Sequence, residues 1–427
     1  MAAKKVLIIT YYWPPAGGAG VQRWLKMAKY LPEFGIEPVV LTVDESYASY
    51  PVVDRSFLED VAATTKVYRT RSFEPLRIYG KLFGKKKVPY SGFTNVNTGT
   101  LGSKLSRWVR GNFFIPDARK GWNRYALPKA AEIIKRENID TVITTGPPHS
   151  THLIGLALKS KKPSIKWIAD FRDPWTDIYY YEDLLHSERS KAKDLKLEKM
   201  VLSQSDLVLS VCPSNRELLA KKLPEDQRSK IKLITNGFDE GDFESVASKT
   251  ENDCFNMVYT GTIAPSYNSI PIFEILKRIP FKWKLTFAGS ISPDILEWFK
   301  QAGMDANLDY RGYVDHKQAL TILQEGDLLL HILPDTEKNK YGTTGKLFEY
   351  IGSGIPILNI GPKRGDAAKF IADAGSGKTF TRDEEVNIIH FINWVNQGEA
   401  SLGTDIGKFS RRKITQDLAD LFRNTDS

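Results

Sequence analysis

The residues best placed to do chemistry lie in Tyr341-Gly-Thr-Thr-Gly-Lys-Leu-Phe-Glu349-Tyr-Ile-Gly-Ser-Gly354, a glycine-rich turn opening a short helix, with the apolar run Ile355–Ile360 directly behind it. A helix start leaves its first N–H groups without intrahelical partners at the positive end of the helix dipole, and glycines let an anion come close to them. Thr343 or Thr344 is suited to cap the turn. Helical spacing puts Leu347, Tyr350 and Ile351 on one face and Lys346 and Glu349 on the other. A cation beside a diphosphate and a carboxylate beside a ribose suit a nucleotide, which makes Gly345, Lys346, Leu347 and Glu349 candidate ligand residues. Without a ligand, the same pair is an ordinary three-apart salt bridge on an exposed helix.

Four other groups of residues invite a role. Gly17, Gly18 and Gly20 follow the first apolar run and precede the helical pattern from Val21, a second phosphate-compatible turn, although a plain strand-to-helix turn has the same composition. His149 follows Thr144-Thr-Gly-Pro-Pro, where an imidazole beyond a strand end can act in catalysis or simply hydrogen-bond the turn. Asp170, Arg172 and Asp173 put three charges in four residues beside an apolar run, either tied in a salt-bridge network or used on an acceptor, with Asp173 the preferred polar group. Gly261 and Thr262 close the run Asn256–Tyr259, where backbone amides suit a diphosphate.

These residues need elements to position them. Apolar runs at Val6–Thr10, Pro38–Val43, Thr141–Thr145, Ile165–Phe171, Leu207–Val211 and Ile231–Thr235 alternate with amphipathic segments, and the alternation resumes at Asn256–Tyr259, Lys284–Ala288, Asp327–Ile332 and Ile355–Ile360. The pattern predicts an α/β chain of two doubly wound, Rossmann-like domains facing across a cleft. The expected division is residues 1–238, 239–408 and a C-terminal helix, 409–427, packing back toward the first domain.

At 427 residues the chain is long enough for two cores. Cys212 and Cys254 are too few for a disulfide framework or metal cluster, and the opening MAAKKVLIIT reads as a first strand, so a cytoplasmic location is expected. No run approaches the roughly 18 apolar residues of a spanning helix. The net charge of +9 is concentrated in residues 61–136, with 17 basic and 3 acidic side chains. Within residues 85–114, Lys85–Lys87 and Lys104-Leu-Ser-Arg-Trp-Val-Arg-Gly-Asn-Phe-Phe114 interleave cations with aromatics, which suits an anionic membrane surface and a peripheral placement on it. No nucleic-acid module surrounds the segment, so nucleic acid is not an expected partner. Gly375-Ser-Gly-Lys-Thr379 imitates a phosphate loop, but the pattern requires glycine at 372, which is Ala372.

Taken in order, Ile8–Gly18, Thr144–Ser150, Asp170–Trp175, Cys212–Asn215, Thr235–Asp239, Tyr259–Thr262 and the 341–358 motif make the chain resemble the GT-B glycosyltransferases, specifically the family-four retaining, nucleotide-sugar-dependent group. The resemblance implies transfer of a sugar from a nucleotide-diphosphate-sugar donor to a glycan or lipid-linked acceptor, with retention, in bacterial surface or exopolysaccharide synthesis. Taken with the residues' own reading, it leaves Gly18, Gly261, Thr262, Gly345, Lys346, Leu347 and Glu349 as donor-site candidates; His149, at a position where the family often carries a cleft histidine, and Asp173, chosen from its charge cluster, are the catalytic candidates, with Asp170 and Arg172 in an acceptor or structural role. No cofactor or metal is expected, since no Asp-x-Asp pair occurs. Two departures stand out. The residues after Thr262 lack the family's basic pair, leaving Lys346 as the substitute with Arg311 behind it. The first of the family's two motif glutamates is here Tyr341, so the donor sugar's partner is unassigned, with Asp335 and Glu337 nearby. These departures keep open a non-catalytic glycan- or nucleotide-sugar-binding protein and a nucleotide-sugar epimerase of the same fold.

Overall fold

The computed structural model describes residues 4–74, 101–178, 181–244, 253–334, 343–400, 403 and 405–424. Lys85–Lys87, Asp335, Glu337, Tyr341 and Gly342 lie outside the described residues. The chain forms two units, Met1–Thr235 with Thr415–Ser427, and Asn236–Ile414.

The first unit is a seven-stranded sheet of β1 (Lys4–Ile9), β2 (Ile36–Val43), β3 (Lys66–Thr70), β4 (Thr141–Gly146), β5 (Lys166–Phe171), β6 (Leu207–Ser210) and β7 (Ile231–Leu233). Its order is β3-β2-β1-β4-β5-β6-β7 and every pairing is parallel. The connecting helices are α1 (Ala19–Tyr30), α2 (Leu101–Phe113), α3 (Asn123–Arg136), α4 (His152–Lys161), α5 (Glu188–Gln204) and α6 (Pro213–Lys221). Val6–Ile9 and all of β4 are buried, as strands covered on both faces must be.

The second unit repeats the plan with β8 (Phe255–Ile263), β9 (Trp283–Ile291), β10 (Leu308–Gly312), β11 (Leu328–Ile332), β12 (Ile357–Ile360) and β13 (Gly377–Phe380), in the order β10-β9-β8-β11-β12-β13 and again parallel. Its helices are α7 (Gly241–Glu244), α8 (Ile270–Leu276), α9 (Pro293–Gln301), α10 (His316–Gln324), α11 (Gly345–Ser353), α12 (Asp366–Ala374) and α13 (Glu385–Asn396). A last helix, α14 (Arg411–Asn424), carries the chain from the second unit into the first, where Arg423 donates to the carbonyl of Phe34 and Lys166 to that of Phe422.

Both sheets are doubly wound. Strand order reverses between β1 and β4 in one and between β8 and β11 in the other, and ligands of such sheets bind beyond the strands' carboxyl ends at those points. The mimic at Gly375–Thr379 is no phosphate loop: Gly375 ends α12 in the left-handed region at φ 63°, and the chain enters β13 two residues later.

Candidate functional site

In the second unit the ends of β8 and β11 and the start of α11 converge on one set of groups. Tyr350 Oη accepts from the amide of Thr260 at 2.8 Å, and Lys346 Nζ donates to the carbonyl of the same residue at 3.2 Å. Two side chains one turn apart on α11 therefore grip the backbone of a single residue of β8 from both its amide and its carbonyl. The Lys346 ammonium also lies 3.7 Å from the centroid of the Tyr259 ring. Burial lowers its pKa to about 7, with Glu349 opposing the shift. Lys346 is not the exposed partner of an ordinary surface salt bridge.

Glycine is required where the strands meet this lysine. Gly261 has φ 110° and Gly289 φ 141°, and a Cβ on Gly289 would stand 1.8 Å from the carbonyl oxygen of Gly261. A Cβ on Gly261 would meet Lys346 Nζ at 3.5 Å. Gly261 and Thr262 do not end the strand as the sequence suggests: β8 runs on to Ile263, in register with Gly289, Ser290 and Ile291 of β9. The positive φ at Gly261 lets the chain turn its backbone while the pairing continues.

Glu349 projects from the same helix, its carboxylate 3.8 Å from Nδ1 of His316, whose Nε2 lies 3.3 Å from Asp242. His316 therefore faces carboxylates from two elements, a feature the sequence does not signal because α7, α10 and α11 are far apart in the chain. The side chain of Leu347 is buried and its amide donates to the carbonyl of Thr344, so it anchors the helix. Thr344 is the N-cap of α11, yet no side-chain cap is made; its hydroxyl pairs with His331. Arg311 is engaged on the surface by Asp309, with Glu325 3.8 Å away.

In the first unit, the turns after β1, β4 and β5 form a second constellation. Gly18 caps α1 with φ 92°. Arg172 donates to the carbonyls of Gly20 at 2.6 Å, Gly146 at 3.2 Å and Pro147, pinning the glycine turn to the turn after β4. Asp170 is fully buried and accepts from Arg23, from Trp24 Nε1 at 2.7 Å and from Thr145 Oγ1 at 2.8 Å. Of the two roles open to Asp170 and Arg172, these contacts favour the structural one.

His149 and Asp173 are not consumed in that way. The His149 imidazole stacks on Trp175 at 4.8 Å and 7°, and its buried Nδ1 has no hydrogen-bond partner among the described residues. Burial, then the charges of His152, Arg172 and Lys222, hold the ring neutral, well below the usual histidine range. Asp173 is half-buried; burial raises its pKa and Arg172 lowers it. Trp175 is held in turn by Asp194, which accepts from Trp175 Nε1 at 2.8 Å and from Tyr181 Oη at 3.0 Å. His152 is a core residue, stacked on Phe171 and bonded through Nδ1 to Thr144 Oγ1 at 2.9 Å. Asp117 and Arg119 also belong here: Asp117 accepts from the amide and hydroxyl of Ser150, and the half-buried Arg119 lies over the Tyr11 ring. The sequence gives Asp117-Ala-Arg119 no motif, which is why it escapes a linear reading.

The described part of the basic segment carries an unusual surface. On α2, Leu105, Trp108 and Phe113 are 62%, 44% and 71% exposed, with Trp108 and Phe113 edge to face at 5.7 Å. Lys104 is exposed beside them. Among the described residues no helix is long and apolar enough to cross a membrane.

Comparison with known proteins agrees with this architecture. Residues 93–241 match the model of Glycosyltransferase Family 4. Among solved structures, the chain is similar to Anabaena HepE in complex with UDP-glucose, at 14% identity and a TM-score of 0.62, covering 98% of this chain and 99% of the other. Sucrose-phosphate synthase from Thermosynechococcus elongatus shares 13% identity with a TM-score of 0.63, covering 99% of both chains. A putative UDP-N-acetylglucosamine 2-epimerase from Listeria monocytogenes shares 12% with a TM-score of 0.56, covering 100% of this chain and 97% of the other. A comparison with curated protein sequences found no match. The resemblance to GT-B glycosyltransferases read from the motifs is borne out, and the fold is theirs.

Proposed function

We propose that this chain is a glycosyltransferase that moves a sugar from a nucleotide-diphosphate-sugar donor to an acceptor hydroxyl, with its donor site on the second unit. The observation that carries the reading is Lys346. A half-buried lysine beside an uncapped helix start, on glycines that leave no side chain in the way, is matched to an incoming diphosphate. In this account the bond from the anomeric carbon to the diphosphate oxygen breaks, the acceptor oxygen bonds to that carbon, and the nucleoside diphosphate leaves with the charge that Lys346 and the α11 amides stabilise. Glu349 grips the ribose, and Gly261 and Thr262 line the diphosphate from β8. We assign His149 and Asp173 to the acceptor side and Gly18 to the donor side, and read the transfer as retaining and metal-independent, with the leaving phosphate taking the acceptor proton.

The UDP-glucose bound by HepE supports a nucleotide-sugar donor, while the epimerase of like fold supports a rival that uses the same donor without an acceptor. Incubation with a panel of UDP- and GDP-sugars decides between them. Release of nucleoside diphosphate from one donor, lost in Glu349→Ala, is expected. A C2 epimer accumulating without acceptor would establish the epimerase instead, and binding of a donor without turnover would leave a non-catalytic nucleotide-sugar-binding protein.

We further propose that α2 rests on an anionic membrane surface, at the cytoplasmic face, with its acceptor lipid-linked and its product a surface or exported polysaccharide. The support is the exposed Leu105, Trp108 and Phe113 set in the most basic part of the chain.

A further inference from the structure

Thr344 has the extended backbone of an N-cap residue, with φ −88° and ψ 148°, yet its side chain accepts no amide of α11. A threonine at this position ordinarily turns its hydroxyl back onto the second or third amide of its helix. Here Oγ1 lies 2.8 Å from Nε2 of His331, a buried residue near the end of β11. Nδ1 of His331 lies 2.7 Å from Oδ1 of Asn359 on β12, and Nδ2 of Asn359 donates to Oγ1 of Thr379 on β13 at 3.0 Å.

The direction of this relay follows from its chemistry. Asn359 spends its amide nitrogen on Thr379, so its oxygen faces the imidazole, and an oxygen can only accept. Nδ1 of His331 therefore carries the ring proton. Burial and the nearby Lys346 charge bring the ring's pKa down to about 3, so it stays neutral and Nε2 is a lone pair. The Thr344 hydroxyl must then donate inward. Three adjacent strands, through their side chains, hold it toward the sheet.

We propose that His331 is a positioning residue that withholds Thr344 from capping α11, so that the first amides of the helix are kept for ligand oxygens. The inference rests on the reading of this helix start as the diphosphate site. It gives a use to a buried histidine: an apolar side chain at 331, beside Tyr350, would free Thr344 to stabilise its own helix.

Titration of inorganic pyrophosphate into the full chain tests it. His331→Phe should weaken binding about fivefold, the effect of a competing cap. His331→Gln, which keeps an acceptor for the Thr344 hydroxyl, should bind like the natural chain. Adding Thr344→Val to His331→Phe removes the competing hydroxyl and should return affinity to within about twofold of the natural chain. Thermal unfolding should show His331→Phe folded, with a midpoint below that of the Gln variant because Asn359 Oδ1 loses its donor, while the double variant separates that loss from the effect on binding. Unchanged affinity in His331→Phe, or a double variant as weak as His331→Phe alone, would overturn the proposal while leaving the diphosphate site standing. No pyrophosphate binding by the natural chain would overturn the site and the proposal together.

Discussion

Asp170 sits in the sequence where a reagent could sit, and its contacts make it an anchor. Its carboxylate is buried, which raises its pKa, but the Arg23 charge and the bonds from Arg23, Trp24 and Thr145 outweigh burial and hold it below the usual range. The stabilisation it confers is present above the pKa of an unfolded aspartate, near 4, and is lost as pH falls through the lower folded value. Asp170→Asn should cost about 3–5 kcal/mol in urea unfolding at neutral pH, because the buried Arg23 loses the Asp170 charge. The cost should shrink toward pH 3. Lys346 makes the opposite kind of prediction. With its pKa brought down to about 7 by burial, it is increasingly neutral above that pH, and a bound diphosphate must recharge it. Ligand binding at pH 8 should therefore take up protons, seen as a dependence of calorimetric heat on the buffer's ionisation enthalpy, and Lys346→Met should abolish that dependence.

At the scale of elements, β8 and β9 pair with no room for a side chain at Gly289. Gly289→Ala places a Cβ against the carbonyl oxygen of Gly261 and forces an L side chain into a φ of 141°. A loss of at least about 2 kcal/mol in unfolding free energy is expected, with a matching drop in thermal midpoint. The α2 surface gives a separate test. Trp108→Ser with Phe113→Ser should leave folding intact and reduce sedimentation with vesicles rich in anionic lipid, whereas neutral vesicles should retain neither protein; equal retention of both forms on anionic vesicles would remove α2 from the account. The strands show how far an apolar pattern carries. The ten runs read from the sequence all became strands, because most are covered on both faces and rich in apolar residues; β7, at a sheet edge with Lys232 exposed, keeps only Ile231 buried. β3, Lys66-Val-Tyr-Arg-Thr, β10, Leu308-Asp-Tyr-Arg-Gly, and β13, Gly377-Lys-Thr-Phe, were not among those runs, since all three lie at sheet edges where charged side chains face water.

At the scale of the molecule, the order of motifs revealed two doubly wound units, while the interior of the candidate site was only half visible. Lys346 and Glu349 could be read from helical spacing. His331, His316 and Asp242 could not, because each acts through a partner on a different element and carries no motif of its own. Thr344 was legible as a helix cap and the structure corrects it: a capping sequence becomes an open helix start once a buried histidine claims the hydroxyl.

The account stands on a donor held at that helix start, cation to diphosphate and carboxylate to ribose. Calorimetric titration with a panel of nucleoside diphosphates, alongside inorganic pyrophosphate, tests it most directly. One nucleoside diphosphate should bind; Lys346→Met should weaken it and pyrophosphate alike by about tenfold or more, whereas Glu349→Ala should weaken only the nucleotide. Binding that is indifferent to Lys346, or no binding by any nucleoside diphosphate, would contradict it.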